Sequence, residues 1–138
     1  MSADVDWSAL ERAAIEVATH AYVPYSHFPV GAAGLADDGR LVIGCNVENA
    51  SYGLTICAER AAICAAVAAG AREVEAVAVV TDLEEPARPC GACRQVLAEF
   101  GRDMEVVLAG RGDAVARTSL SELLPDPFTF DGPISDAR

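Results

Sequence analysis

The sequence contains no lysine. All ten of its basic residues are arginine, set against 21 aspartates and glutamates for a formal net charge of −11. Grip on a nucleic-acid backbone needs a basic surface, so no nucleic-acid partner is expected. Long apolar runs are also missing. The longest stretch without a formal charge, residues 17 to 36, is interrupted by His20, Pro24, His27 and Pro29, whereas a membrane-spanning helix needs about 20 mostly apolar residues. The opening residues M-S-A-D-V-D-W are acidic and lead into no apolar segment with a small-residue cleavage site. No secretory signal or membrane association is therefore expected, and the expected location is the cytoplasm. Nor is the chain poor enough in apolar residues to be disordered: 52% are hydrophobic and 22% charged over 138 residues. That suits one domain spanning residues 1–138, with about 129–138 as a loose tail.

Five cysteines, an odd number, stand at 45, 57, 64, 90 and 93. In a reducing compartment they read as thiols or metal ligands rather than disulfides. The pattern around them predicts alternating helices and strands. Ser8 and Glu11 form a capping box for a first helix with Leu10, Ala14, Val17 and Ala21 at helical spacing. Val30 to Ala36 and Leu41 to Asn46 flank a D-G pair and read as a hairpin. Thr55 is expected to cap a second helix, ending at Ala69 and Gly70, that is apolar on every face and hence buried. Val74 to Val80 and Met104 to Ala109 read as buried strands around a third helix from Cys90 to Phe100. Ser119 and Glu122 form a second capping box near the end. The alternation of strands and helices argues for an α/β layered domain.

C-A-E-R at 57 to 60 and P-C-G-A-C-R-Q at 89 to 95 put three thiols at the starts of two helices. Free backbone amides and the helix dipole favour thiolates there. Cys90 and Cys93 can grip one ion from a single turn, and Cys57 supplies a third leg of a tetrahedron. Cys64 lies two turns further along the helix of Cys57, about 10 Å away by rise, and cannot share the ion. Cys45 falls within a strand and reads as a small core side chain. The fourth position lacks an obvious protein ligand, as in catalytic zinc sites, which keep a place for water. Glu59 is either a first-turn acid favourable to the dipole or, inside a buried helix, a proton carrier beside a metal-activated water. Three thiolates and Zn²⁺ sum to −1, so Arg60 is a candidate donor to the sulfurs and Arg94, beside Cys93, the second; the alternative for either is an ordinary surface charge, a reading as strong as the donor one for Arg94.

Together with Y-S-H-F-P-V-G at 25 to 31 and N-V-E-N-A-S-Y-G at 46 to 53, these segments resemble the small, homotetrameric, three-cysteine cytidine deaminases over about residues 22 to 128. The resemblance implies a three-layer α-β-α fold with a central mixed five-stranded sheet. It implies one Zn²⁺ per chain on Cys57, Cys90 and Cys93, with Glu59 as proton shuttle. Asn46 and Glu48 would bond a ribose hydroxyl, Phe28 would pack on the pyrimidine, and backbone groups of Ala58 and Cys90 would meet the base. Phe128 would reach a neighbouring subunit's pocket in a shared active site, and Tyr52 would lie at the same junction. His27 would touch substrate or remain a solvent-facing loop residue.

The implied reaction is hydrolytic deamination of cytidine and 2′-deoxycytidine to the uracil nucleosides and ammonia. Two rivals remain. One is a deaminase of a nucleoside analogue or of cytosine within a polynucleotide, the latter disfavoured by the net charge and by Glu48 beside the sugar. The other is a non-catalytic zinc-stabilised binding module, which requires a closed four-ligand site.

Overall fold

Five strands form one sheet in the order β2-β1-β3-β4-β5 in the computed structural model, which describes residues 4–130. β1 (Val30–Ala36) pairs antiparallel with β2 (Leu41–Cys45) and with β3 (Val74–Thr81). β3 runs parallel to β4 (Glu105–Ala109), which pairs antiparallel with β5 (Val115–Ser119). The sheet is therefore mixed, and its one parallel pair is joined through α3 (Gly91–Phe100). Helix α1 (Trp7–Ala18) packs on one face, while α2 (Ala58–Ala68) and α3 cover the other. This is the three-layer arrangement expected.

The alternation of side chains along each strand separates two cores. Ala33, Ala76 and Ala78 face Leu10 and Ala14 of α1, whereas Ala32, Val77, Val79, Val106 and Leu108 face Ala62, Ile63 and Leu97. The first interface is built of alanines, so α1 sits close. A Cβ on Gly31 would stand 1.9 Å from the Ala14 carbonyl oxygen. Helix α2 approaches β2 as tightly, since a Cβ on Gly44 would lie 2.3 Å from the Ala62 nitrogen and 2.6 Å from the Ala58 oxygen. Backbone thus rests on backbone under the turn that carries Cys57 and Glu59.

Several local expectations are corrected. Asp6, not Ser8, caps α1 by accepting from the Ala9 amide at 3.1 Å, and Ser8 lies inside the helix, taking a bond from Arg12 at 2.8 Å. Thr55 does not cap α2; it ends the short 3-10 turn Tyr52–Leu54, and Cys57 occupies the cap position of α2. Helix α2 is not buried on every face, because Cys64, Ala65, Val67 and Ala68 are exposed. β5 was not expected from its own residues: V-A-R-T-S is half-exposed and polar, and the sheet edge with the Arg117 guanidinium 5.7 Å over the Trp7 ring makes it a strand. Of the second capping box the serine half forms, with Ser119 accepting from the Glu122 amide at 3.3 Å at the start of α4 (Leu120–Leu123), while the Glu122 carboxylate accepts from the Thr118 hydroxyl at 2.9 Å. Thr129 and Phe130 of the expected tail are exposed, and 131–138 lie outside the described residues. No helix among the described residues is long and apolar enough to cross a membrane.

Gly44→Ala must push α2 off the sheet, and overpacking at a rigid backbone contact costs about 3 kcal/mol. A urea melt should show its midpoint well below that of the native chain. Gly53→Ala, where nothing lies within 4 Å of the added Cβ, should leave the midpoint within about 0.5 kcal/mol of native.

Candidate metal centre and active site

β2 leads to α2 and β3 to α3, so both helix starts and the loops before β1 and after β2 gather at one end of the sheet. The caps of these two helices are unusual. Cys57 and Cys90 hold the N-cap positions in extended backbone, and neither makes a side-chain capping bond. Serine, threonine or aspartate would serve a helix better there by about 1 kcal/mol each. The cysteines instead turn toward one another and toward Cys93, one turn into α3. The three sulfurs lie within 4.8 Å of one another, with Cys57 and Cys90 at 3.9 Å. Two thiolates on one tetrahedral zinc, each at about 2.3 Å, stand about 3.8 Å apart. The donor set fits a zinc ion in spacing and in softness, and among the described residues no other cluster of metal-binding side chains is present. Cys45 is half-buried on β2 and Cys64 exposed on α2, both apart from the cluster.

Glu59 is 94% buried by the complement of its 6% exposure. Burial raises its carboxyl above the usual carboxylate range, and the nearby Cys57 thiolate adds to the effect. The Cys57 thiol is drawn down to about 5, chiefly by the hydrogen bond from Cys93 and then, against burial, by Arg60 and Cys90. Cys93 is pushed up, first by that same bond, then by burial and the Glu59 charge. Without a cation, then, the cluster accommodates one negative sulfur and resists the next, which is the electrostatic signature of a site awaiting positive charge. Arg60 supplies part of it. Its Nη2 donates to the Cys57 sulfur at 3.5 Å and to the Thr55 carbonyl at 3.4 Å, and its buried Nε has no partner.

The other expected donor is corrected. Arg94 gives Nε to the Pro89 carbonyl at 2.8 Å and Nη1 to the Leu123 carbonyl at 2.9 Å, so it braces the segment before Cys90 rather than the sulfurs. One residue beyond Cys93, it is turned about 100° around the helix from the buried thiol.

Asn46, 8% exposed, stitches the loop to β1: its Oδ1 accepts from the Val30 amide at 2.9 Å and its Nδ2 donates to the Phe28 carbonyl at 2.8 Å. Glu48 accepts from the amides of Tyr25 and Ser26 at 2.9 and 3.1 Å and from the Ser26 hydroxyl. These bonds, led by the hydroxyl, hold its carboxyl below the usual range. A cavity of about 250 Å³ opens between Tyr25, Ser26, Glu48, Tyr52 and Thr55. Thr55 also receives Arg60, which joins this cavity to the thiols. A larger hollow of about 660 Å³ lies at the opposite end of the sheet, beside Arg102 and Glu105, away from all of these groups.

Ala58 is buried, and as the first residue of α2 its amide belongs to the turn with no partner inside the helix. The Cys90 carbonyl accepts from the Arg94 amide at 3.0 Å. Phe28 is half-buried and His27 exposed with φ of 57°. Tyr52 is exposed and meets Tyr25 edge-on at 5.9 Å. Phe128 is 74% exposed; Gln95 of α3 binds its carbonyl at 2.9 Å and its amide at 3.2 Å. Ser26 and Gln95 had drawn no attention in the sequence, though each stood inside a quoted segment.

A family model of the cytidine and deoxycytidylate deaminase zinc-binding region matches residues 6–109. The chain belongs to the cytidine deaminase family. A curated cytidine deaminase of Halalkalibacterium halodurans is 50% identical over 128 residues, covering 92% of this chain and 97% of the relative. The crystal structure of cytidine deaminase from Burkholderia pseudomallei superimposes with a TM-score of 0.86 at 50% identity, over 90% of this chain and all of that one. That of the Mycobacterium tuberculosis enzyme does so at 0.80 and 48%, over 92% and 100%.

Two measurements on the metal-free protein follow from the charge balance. Cys57 should be the first thiol alkylated by iodoacetamide, its labelling falling off only as pH drops through about 5, as read by peptide mass spectrometry. Glu59 has a raised pKa, so its ionised form burdens the folded state once pH exceeds the unfolded carboxyl range. Glu59→Gln should therefore stabilise the metal-free protein at neutral pH, and the gain should vanish as pH falls through the carboxyl range.

Proposed function

We propose that this protein is a zinc-dependent cytidine deaminase, converting cytidine and 2′-deoxycytidine to the uracil nucleosides and ammonia. The observation that carries the reading is a buried carboxyl, Glu59, beside three converging thiols with no fourth protein ligand among the described residues. A closed structural zinc site would need that fourth ligand, so the open cluster argues against a purely structural zinc module.

Cys57, Cys90 and Cys93 would hold one Zn²⁺ per chain, which when bound supplies the Lewis acidity that makes water nucleophilic at neutral pH. Glu59 takes a proton from the attacking water and gives it to N3 as the oxygen adds to C4. It then carries the second proton to the departing amine, so that atoms and charge balance over the cycle. Its pKa, raised by burial, suits both halves of that duty, since a carboxyl held above the usual carboxylate range takes up and returns protons more readily. Arg60, bonded to the Cys57 sulfur, offsets the excess negative charge of the thiolates. The Ala58 amide and the Cys90 backbone would meet the base, and Phe28 would pack on its ring. Glu48 would receive a sugar hydroxyl in the cavity beside it, with Asn46 holding the floor of that site through Phe28 and Val30.

The exposed apolar surface supports a homotetramer with shared sites. Tyr52 and Phe128 are each 74% exposed, Leu54 is 63% exposed, and the uncovered face of α2 is Cys64, Ala65, Val67 and Ala68. In that assembly Phe128, held out from α3 by Gln95, would enter a neighbour's pocket. The chain would act as one domain in the cytoplasm, where the thiols stay reduced, in salvage of pyrimidine nucleosides.

The ultraviolet change from cytidine to uridine tests the reading directly. Glu59→Gln should keep zinc and substrate binding and lose several orders of magnitude in turnover. Cys90→Ser should lose zinc and activity together. Near-normal turnover by Glu59→Gln would remove the carboxyl from the chemistry.

A further inference from the structure

Glu48 meets a sugar with most of its capacity already taken. A carboxylate offers about four lone-pair directions. On Oε1 two are filled, by the amides of Tyr25 at 2.9 Å and Ser26 at 3.1 Å, and on Oε2 one is filled by the Ser26 hydroxyl. One direction is left, on Oε2. The Ser26 oxygen is itself an acceptor, taking the Phe28 amide at 3.1 Å. A continuous chain of donation thus runs from the Phe28 backbone through the Ser26 hydroxyl to Glu48. His27, between the two, is the one residue other than glycine with positive φ among the described residues, at 57°, and its amide is held by the Val23 carbonyl at 2.9 Å. Left-handed backbone at a residue with a side chain persists where surrounding bonds enforce it. The turn that sets Phe28 and the turn that sets Glu48 are therefore one structure, closed by a single hydroxyl.

We propose that Ser26 is a positioning residue: its hydroxyl aims the remaining acceptor direction of Glu48 and locks the sugar contact to the loop that carries Phe28. This rests on the reading of Glu48 as the sugar-hydroxyl acceptor. Without the hydroxyl, the two amides still hold Oε1, and the carboxylate pivots about it, so that Oε2 no longer points in a fixed direction. The loss falls mainly on substrates with a 2′- or 3′-hydroxyl to offer and is smaller for those that lack both.

The test compares cytidine with 2′,3′-dideoxycytidine in the native protein, Ser26→Ala, Ser26→Thr and Glu48→Ala. Ser26→Ala should raise KM for cytidine about tenfold, the scale of one hydrogen bond to a charged group, with kcat little changed. Its kcat/KM for dideoxycytidine, which depends on Ser26 only through the Phe28 loop, should fall much less, so the preference for cytidine shrinks. Ser26→Thr, which keeps the hydroxyl, should restore that preference. An equal loss on both substrates, or no change on either, overturns the role of Ser26. If Glu48→Ala leaves the preference intact, the sugar reading of Glu48 fails and the proposal with it. Absence of cytidine turnover in the native protein overturns the deaminase reading itself.

Discussion

Two helix starts brought together with sulfur in place of their caps is the constraint from which the rest of the site follows. Each of α2 and α3 forgoes a capping oxygen at Cys57 and Cys90, leaving first-turn amides unsatisfied and a positive dipole end aimed at the same small volume. Thiols gathered there ionise unevenly, and a soft dication resolves the imbalance. Glu59 is buried for the same reason. It lies on the turn that must approach the sheet closely for Cys57 to reach Cys90, and the absence of a side chain on Gly44 permits that approach.

The thiol cluster and the cavity beside Glu48 are made differently. Cys57, Cys90 and Cys93 ride on helices packed against strands, so their spacing is inherited from the sheet. Glu48, Ser26 and Asn46 belong to two loops knitted to each other by the pairing of Tyr22 with Val47, the second loop being closed on itself by the pairing of Val47 with Ile56. Arg60 spans the divide, one nitrogen reaching both a sulfur and the Thr55 carbonyl beside the cavity.

Much of this was legible before any coordinates, because the strongest signals were local. Turn chemistry at Asp38 and Gly39 marked the first hairpin, the apolar runs at 74–80 and 104–109 marked the central strands, and cysteine spacing marked the thiol cluster. What escaped was set by tertiary context. Ser8 and Thr55 had the right chemistry for caps, but Asp6 and Cys57 hold the positions where those helices begin. β5 has a polar face that earns no strand signal until β4 lies beside it. Arg94 stood next to a ligand in sequence yet points elsewhere, since adjacent residues of a helix diverge by about 100°. The evenly apolar α2 foretold burial, whereas Cys64, Ala65, Val67 and Ala68 are exposed; composition alone does not separate a core face of a helix from an uncovered one.

The close seating of α2 on β2 bears on how the molecule fails when warmed. Cys57 is anchored where the backbone of α2 lies against that of β2, while the carboxylate of Glu48 depends on solvent-facing hydrogen bonds of the kind that open locally. Heat or denaturant should therefore loosen the hydrogen bonds of Glu48 first and the thiol cluster last. Below global melting the protein would pass through a state whose thiols still converge while the loop around Glu48 has come apart.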